Sequence, residues 1–416
     1  MQRKLLAWLK LHREAVIIVG LIVFNLGLRL FRLDQPNEAY FDEGAHYVPA
    51  ARAYLNGDFS LNFEHPLLGK FLIGAGIMLF GDNPWGWRLP EVVFSIIGVL
   101  VTYFLARKMF AFHPGKVWIA SVAAFLLSLD FMWFVHSRIA LLEIFLAVFV
   151  LITLYFLWCY LENFRLRTLF LVGFFLGLAL SVKWTALFLF LAITALFFLF
   201  HKKTWRSWGT DLFVIGGTAG LVYLISYVPY LLGHSFWDFI SLQQKMLNYH
   251  ENINDISYLR KPVTLDESVV IHPWLWFLDS PMGYLSKNLG GGQAQLIISL
   301  SHPFVFWLSI FVFFKVGIKG LRQKTREISF LFIIFLSFYL PWFFVSRYQF
   351  IYYLLSIIPF LCITVAYFLY PYFIDKYRRW DVVGYLIAVV LSFVYLYPVL
   401  TGWQIPNNYF YFPIFK

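Results

Sequence analysis

The chain has 416 residues, of which 61% are apolar, 22% aromatic and only 13% charged. So few charges cannot cover a water-soluble surface, so the composition excludes a soluble globular protein and marks an integral membrane protein of many spans. The net charge of +11 reports how basic loops are shared between the two sides of a bilayer and implies no nucleic-acid partner.

Apolar stretches of a length to cross ~30 Å of hydrocarbon run over 15–31, 88–106, 117–135, 139–160, 168–182, 184–200, 212–232, 296–314, 328–345, 350–370 and 382–399. They predict an all-α bundle of eleven transmembrane helices. Arg3, Lys4 and Lys10 precede the first span, and Arg29 and Arg32 follow it without a small-x-small cleavage site. This predicts an uncleaved anchor with a cytoplasmic N-terminus. With that orientation, 20 of the 33 basic residues fall inside against 6 of the 22 acidic ones, as positive-inside topology requires. Cys159 and Cys362 lie far apart within predicted spans, which implies neither a disulfide nor a thiol–metal site.

The first outer loop, 32–87, carries the densest group of ionisable residues on the outer face: Phe41-Asp42-Glu43-Gly44, then Glu64-His65-Pro66-Leu67-Leu68-Gly69-Lys70. Isolated, an Asp-Glu pair is an ordinary solvated feature. Beside a membrane, mutual repulsion and partial dehydration can hold one carboxylate at a raised pKa and make it a general base. His46, Glu64 and His65 match no strong ligand spacing, so no metal is expected. Pro49 near a first turn, Tyr47, Ala51, Tyr54 and Leu55 on one stripe, and Gly57 as a stop predict a short amphipathic helix in the headgroup zone.

Arg138 and Glu143 stand at the outer start of the fourth span, where a buried ion pair is their plain structural reading. Lys183 and Arg347 sit at other outer span ends. Singly, each cation serves equally well as an interfacial anchor; jointly, Lys70, Arg138, Lys183 and Arg347 suggest an outer cavity that holds an anion. In the second outer segment, 233–295, Ser235 and Asp238 have capping-box spacing ahead of Phe236, Phe239, Ile240, Met246 and Leu247 at helical spacing. Gly290 to Gly292 reads as a flexible lead-in to the next span, or as a lid hinge.

The order Asp42-Glu43, HPLLGK at 65–70, Trp87-Arg88, Ser137-Arg138 with Leu141-Leu142-Glu143, Gly177 through Lys183-Trp184-Thr185, and Pro341-Trp342 with Ser346-Arg347 resembles the protein O-mannosyltransferase family. His272-Pro273-Trp274 is similar to a further pattern of that family. These are GT-C class membrane glycosyltransferases that use polyprenyl-phosphate sugars. The chain departs from the family pattern at Leu67, where a second proline is usual, and at His302-Pro303, where Asn-Pro is common. No room exists in 233–295 for the luminal MIR domain of eukaryotic members.

The resemblance implies a single glycosyltransferase domain over 1–416 in a bacterial plasma membrane, with its active site on the extracytoplasmic face. It implies inverting transfer of a hexose, mannose, from a polyprenyl-phosphate carrier to an acceptor hydroxyl, with protein Ser/Thr as the acceptor and no cofactor. Asp42 would act as base supported by Glu43. Lys70, Arg138, Arg347 and Lys183 would hold the donor phosphate, while Glu64, His65, Arg88 and Glu143 shape the site. A lipid or glycan acceptor, as in the aminoarabinose transferases acting on lipid A, remains the neighbouring alternative. A lipid-carrier transporter is more distant, because polar residues concentrate at one face instead of lining a path through the membrane.

Overall fold

A computed structural model describes residues 12–200, 205–252, 273–278, 282–323, 325–345, 349–407 and 409. Helix α1 (Arg13–Leu30) enters the first outer loop, which holds α2 (Val48–Leu55) and α3 (Leu68–Phe80). The bundle continues through α4 (Pro84–Met109), α5 (Lys116–Leu129), the short α6 (Phe131–His136), α7 (Glu143–Asn163), α8 (Leu166–Val182), α9 (Phe188–Phe200) and α10 (Trp205–Ser226). The second outer segment contains α11 (Phe236–Asn252) and two strands, β1 (Met282–Gly290) and β2 (Gln293–Ser299). Helices α12 (Pro303–Arg322), α13 (Arg326–Tyr339), α14 (Ile358–Ile374) and α15 (Arg379–Leu400) follow, and then the short strand β3 (Gln404–Pro406).

Among the described residues, seven helical segments are long and apolar enough to cross a membrane. They are 84–109, 143–163, 209–226, 303–322, 326–344, 351–374 and 379–400. The other four expected spans coincide with helices that are shorter or carry more charge: α1, α5 with α6, α8, and the segment 184–200. Val19, Val23, Met78, Leu79, Phe198 and Phe213 are each more than half exposed on the bundle's outside. Such a surface suits acyl chains rather than water. Glu14 pairs with Arg107 and Lys108 with Glu162, which gathers four residues expected on the inner face at one end of the bundle.

Two local expectations are changed by the structure. Residues 293–299 form β2 rather than the start of a span, because Leu296 to Ile298 pair with β1 in an antiparallel ladder. Gly290, Gly291 and Gly292, all at positive φ (77°, 57° and 74°), form the turn of that hairpin rather than a lead-in or hinge; only glycine adopts such a run without cost. The bundle therefore carries a small sheet, ordered β1-β2-β3, on its outer side.

The amphipathic helices stand as expected. Helix α2 begins with Pro49 in its first turn and is followed by Gly57 at φ +75°. Ser235 and Asp238 exchange the reciprocal bonds of a capping box: the Asp238 amide donates to Ser235 Oγ at 3.2 Å, and the Ser235 amide to the Asp238 carboxylate at 2.8 Å. The two outer segments then pack together, with Ala50 and Tyr54 of α2 in one cluster with Tyr227, Phe239, Leu242 and Met246. That contact fixes the first loop above the bundle.

Candidate active site

The chain from Phe41 to Tyr47 turns tightly at the outer end of the bundle. Phe41 has φ +52°, and residues Glu43–Tyr47 form a wide helical turn before α2. The turn sends the adjacent carboxylates apart. Asp42 keeps 30% of its side chain exposed, with His46 Nε2 at 3.9 Å. Burial lifts its carboxyl to about 6; His46 opposes the rise, Glu143 adds to it, Lys183 opposes it and Glu64 adds a smaller push.

Glu43 is fully buried and faces away. Its carboxylate accepts from Arg88 Nε at 2.9 Å and Nη2 at 2.8 Å, and from the Ala140 amide at 2.9 Å. Arg88 also donates to the carbonyls of Leu33, Pro36 and Glu38. The expected repulsion between Asp42 and Glu43 is therefore not the source of the raised pKa. Glu43 spends its charge on a guanidinium and positions the turn, and Arg88 ties Glu43 to the carbonyls of the loop before it.

Around Asp42 stand Tyr47, Tyr284 and Tyr352, with Tyr353 against Tyr352, and near them the ion pair Lys183–Glu143, with Nζ 2.7 Å from Oε1. Lys183 also lies over the faces of Tyr352 and Tyr353, at 5.9 and 5.5 Å. Glu143, Lys183, Thr185, Trp342, Tyr352 and Tyr353 line one narrow cavity. Beside it, an apolar groove of about 470 Å³ runs between α9 and α13, bounded by Leu191, Ala195, Ile333, Leu336 and Phe344.

The four-cation cluster is corrected by this geometry. Of the expected phosphate ligands, Lys183 faces the cavity. Arg138 instead donates to the carbonyls of Leu28, Arg29, Phe31 and Arg32. It thereby satisfies the orphan acceptors at the C-terminal end of α1, where a cation is electrostatically favoured. The ion pair read between Arg138 and Glu143 is absent, since Glu143 pairs with Lys183 across the adjacent outer ends of α7 and α8. Lys70 is fully buried and donates to the carbonyls of Asn62 and His65 at 2.7 and 2.5 Å. Burial pulls its ammonium down to about 7 against the attraction of Glu64. It therefore braces its own loop. Arg347 and His272 lie outside the described residues.

Glu64 accepts from Asn62 Nδ2 at 2.6 Å, and its carbonyl meets His250 Nε2 at 2.9 Å. The His65 ring lies 5.6 Å from that of His250 and 6.4 Å from Tyr47. Both residues thus shape the loop where it meets the end of α11. Among the described residues, no group of three or more His, Cys, Asp or Glu is gathered as a metal centre.

Sequence reasoning missed His136 and the tyrosine wall. His136 immediately precedes the Ser137-Arg138 motif, but a lone His beside an apolar run gives no signal of its own. Tyr352 and Tyr353 are neighbours of Arg347 in sequence. Tyr284 lies on β1, in a part of the second outer segment for which the sequence predicts no strand.

A family model described as dolichyl-phosphate-mannose-protein mannosyltransferase matches residues 64–231. The polyprenol-phosphate-mannose–protein mannosyltransferase of Mycolicibacterium smegmatis is 25% identical over 91% of this chain and 88% of its own. Among solved structures, the Pmt1-Pmt2 complex of S. cerevisiae bound to its sugar donor aligns with TM-score 0.76 and 15% identity over 94% of this chain and 90% of that chain. ArnT of Cupriavidus metallidurans bound to undecaprenyl phosphate aligns with TM-score 0.61 and 18% identity, covering 90% of this chain and 63% of that chain.

Proposed function

We propose that this chain, a member of the protein O-mannosyltransferase family in the GT-C class, transfers mannose from a polyprenyl-phosphate carrier to a serine or threonine hydroxyl of a protein, with inversion. The observation that carries this reading is one partly exposed carboxylate, Asp42, within electrostatic reach of Lys183 and Glu143, which line a cavity with Tyr352 and Tyr353. The acceptor hydroxyl gives its proton to Asp42 as its oxygen attacks the anomeric carbon. The bond from that carbon to the phosphate oxygen breaks on the opposite face, and polyprenyl phosphate leaves with the electron pair.

Each residue has a task in that step. A hydroxyl is a weak nucleophile until its proton is taken, and a carboxylate poised near 6 does so at neutral pH. Lys183 gives one of its three donors to Glu143 and keeps the others for the leaving phosphate. The ion pair with Glu143 fixes where that charge sits. The groove between α9 and α13 is apolar, and the same two helices give Phe188 and Phe338 to the lining of the cavity. The lining of the groove suits the isoprenoid tail of the carrier, which needs a low-dielectric path beside its charged head.

The protein is an integral membrane protein; we place it in a bacterial plasma membrane with the site on the extracytoplasmic side. The test is transfer of radiolabelled mannose from synthetic polyprenyl-phosphate mannose by the purified protein in detergent, with peptide and lipid acceptors offered in parallel. Label on the peptide is expected. Label on lipid alone would move the acceptor to the aminoarabinose-transferase type, and no label on either would overturn the donor.

A further inference from the structure

His136 is fully buried at the end of α6, yet its polar atoms are only half used. Nε2 lies 2.8 Å from the hydroxyl of Tyr284, while Nδ1 has no hydrogen-bond partner. A buried ring nitrogen left without a partner is costly, and native structures keep such a group where something else completes it. Its surroundings indicate what does so. The His136 ring packs 5.6 Å from those of Tyr284 and Tyr352, and Tyr284 is stacked on Phe41 at 4.3 Å, directly before Asp42. The charges within electrostatic reach of the imidazole are Glu143 and Lys183, whereas Tyr284 senses Glu143 and Asp42.

The pair His136–Tyr284 thus lies within electrostatic reach of Glu143, Lys183 and Asp42. In an inverting transfer, the acceptor oxygen, the anomeric carbon and the phosphate oxygen lie in line between the base and the cation, and the hexose ring must lie beside that line. Resting on the proposed transferase reading, we propose that His136 Nδ1 makes a direct hydrogen bond to one hydroxyl of the donor hexose and selects for it, with Tyr284 fixing the imidazole tautomer. A neutral ring between tyrosine faces suits a neutral hydroxyl better than a phosphate. The tyrosines offer flat apolar surface to the C–H face of the sugar, so the imidazole supplies orientation that stacking alone lacks. A site whose buried polar atom is completed by a substrate hydroxyl rejects the analogue lacking it, because that atom is then left unpaired.

The experiment uses the full-length protein in detergent and five donors: polyprenyl-phosphate mannose and the four analogues lacking the hydroxyl at carbon two, three, four or six. For the wild type, one analogue is expected to lose about 10- to 100-fold in kcat/KM through the missing bond to His136. In His136→Phe, mannose itself falls by a similar factor, and the penalty for that one analogue disappears while the others persist. Binding of sugar-free polyprenyl phosphate stays unchanged. Tyr284→Phe, which leaves the imidazole in place but frees its tautomer, shrinks the same penalty and serves if His136→Phe does not fold. Penalties that are the same in the variants as in the wild type overturn the assignment, as does a loss of sugar-free carrier binding that accounts for the whole effect. A wild type inactive with every donor would instead sink the transferase reading itself.

Discussion

Asp42 and Glu43 are neighbours with opposite duties, and substitution should separate them. Asp42→Asn removes the proposed proton acceptor and is expected to lower kcat by roughly 10²- to 10⁴-fold with little change in thermal stability, as measured by mannosyl transfer and by melting in detergent. Because the carboxyl titrates near 6, above the ordinary carboxylate range, the active deprotonated form prevails above that pH and is lost as pH falls through it. The kcat/KM profile of the wild type should therefore bend downward below about pH 6. Glu43→Ala acts on stability instead. It strands the buried Arg88 guanidinium, and breaking a buried pair in this way costs about 3–5 kcal/mol. The melting temperature is expected to drop sharply, and whatever folded protein survives should keep the acid limb where it was.

At the scale of elements, the corrected cations give the discriminating test. Arg138 caps the end of α1, so Arg138→Gln should lower the melting temperature without raising KM for the donor, whereas Lys183→Gln should raise KM for the donor or depress kcat in protein that remains folded. Equal KM effects for both would restore Arg138 to the phosphate site. The sequence made helices and their order legible because apolar length and flanking charge decide them. It also revealed α2 and α11, whose proline, glycine and capping-box signals are local. What it hid is lateral. Glu143 seemed matched to Arg138 by nearness along the chain, yet Arg138 lies in the turn before α7 and reaches back to α1. Lys183 is 40 residues from Glu143, brought beside it because α7 and α8 run antiparallel. The hairpin was hidden for another reason: Leu296, Ile297 and Ile298 are as apolar in a strand as in a span, and hydropathy alone cannot tell the two apart.

At the scale of the whole molecule, two groups of ionisable side chains among the described residues mark two regions of the bundle. Glu14, Arg107, Lys108 and Glu162 meet at one end, while Asp42, Glu143 and Lys183 share the other. In a background with Cys159 and Cys362 replaced by Ala, an impermeant maleimide added to intact cells should label Asp58→Cys and spare Arg165→Cys; the reverse pattern would invert the orientation. The small outer sheet bears on how such an enzyme comes into being. Tyr284 reaches the site from β1, β1 is paired with β2, and β2 is in turn edged by Gln404 to Pro406, which follow α15. A wall of the reaction chamber is therefore fastened by a segment made some 360 residues after Asp42. A growing polypeptide can insert every helix before α15 and still hold an unfinished chamber, which is completed only once Gln404 to Pro406 have been made and paired with β2.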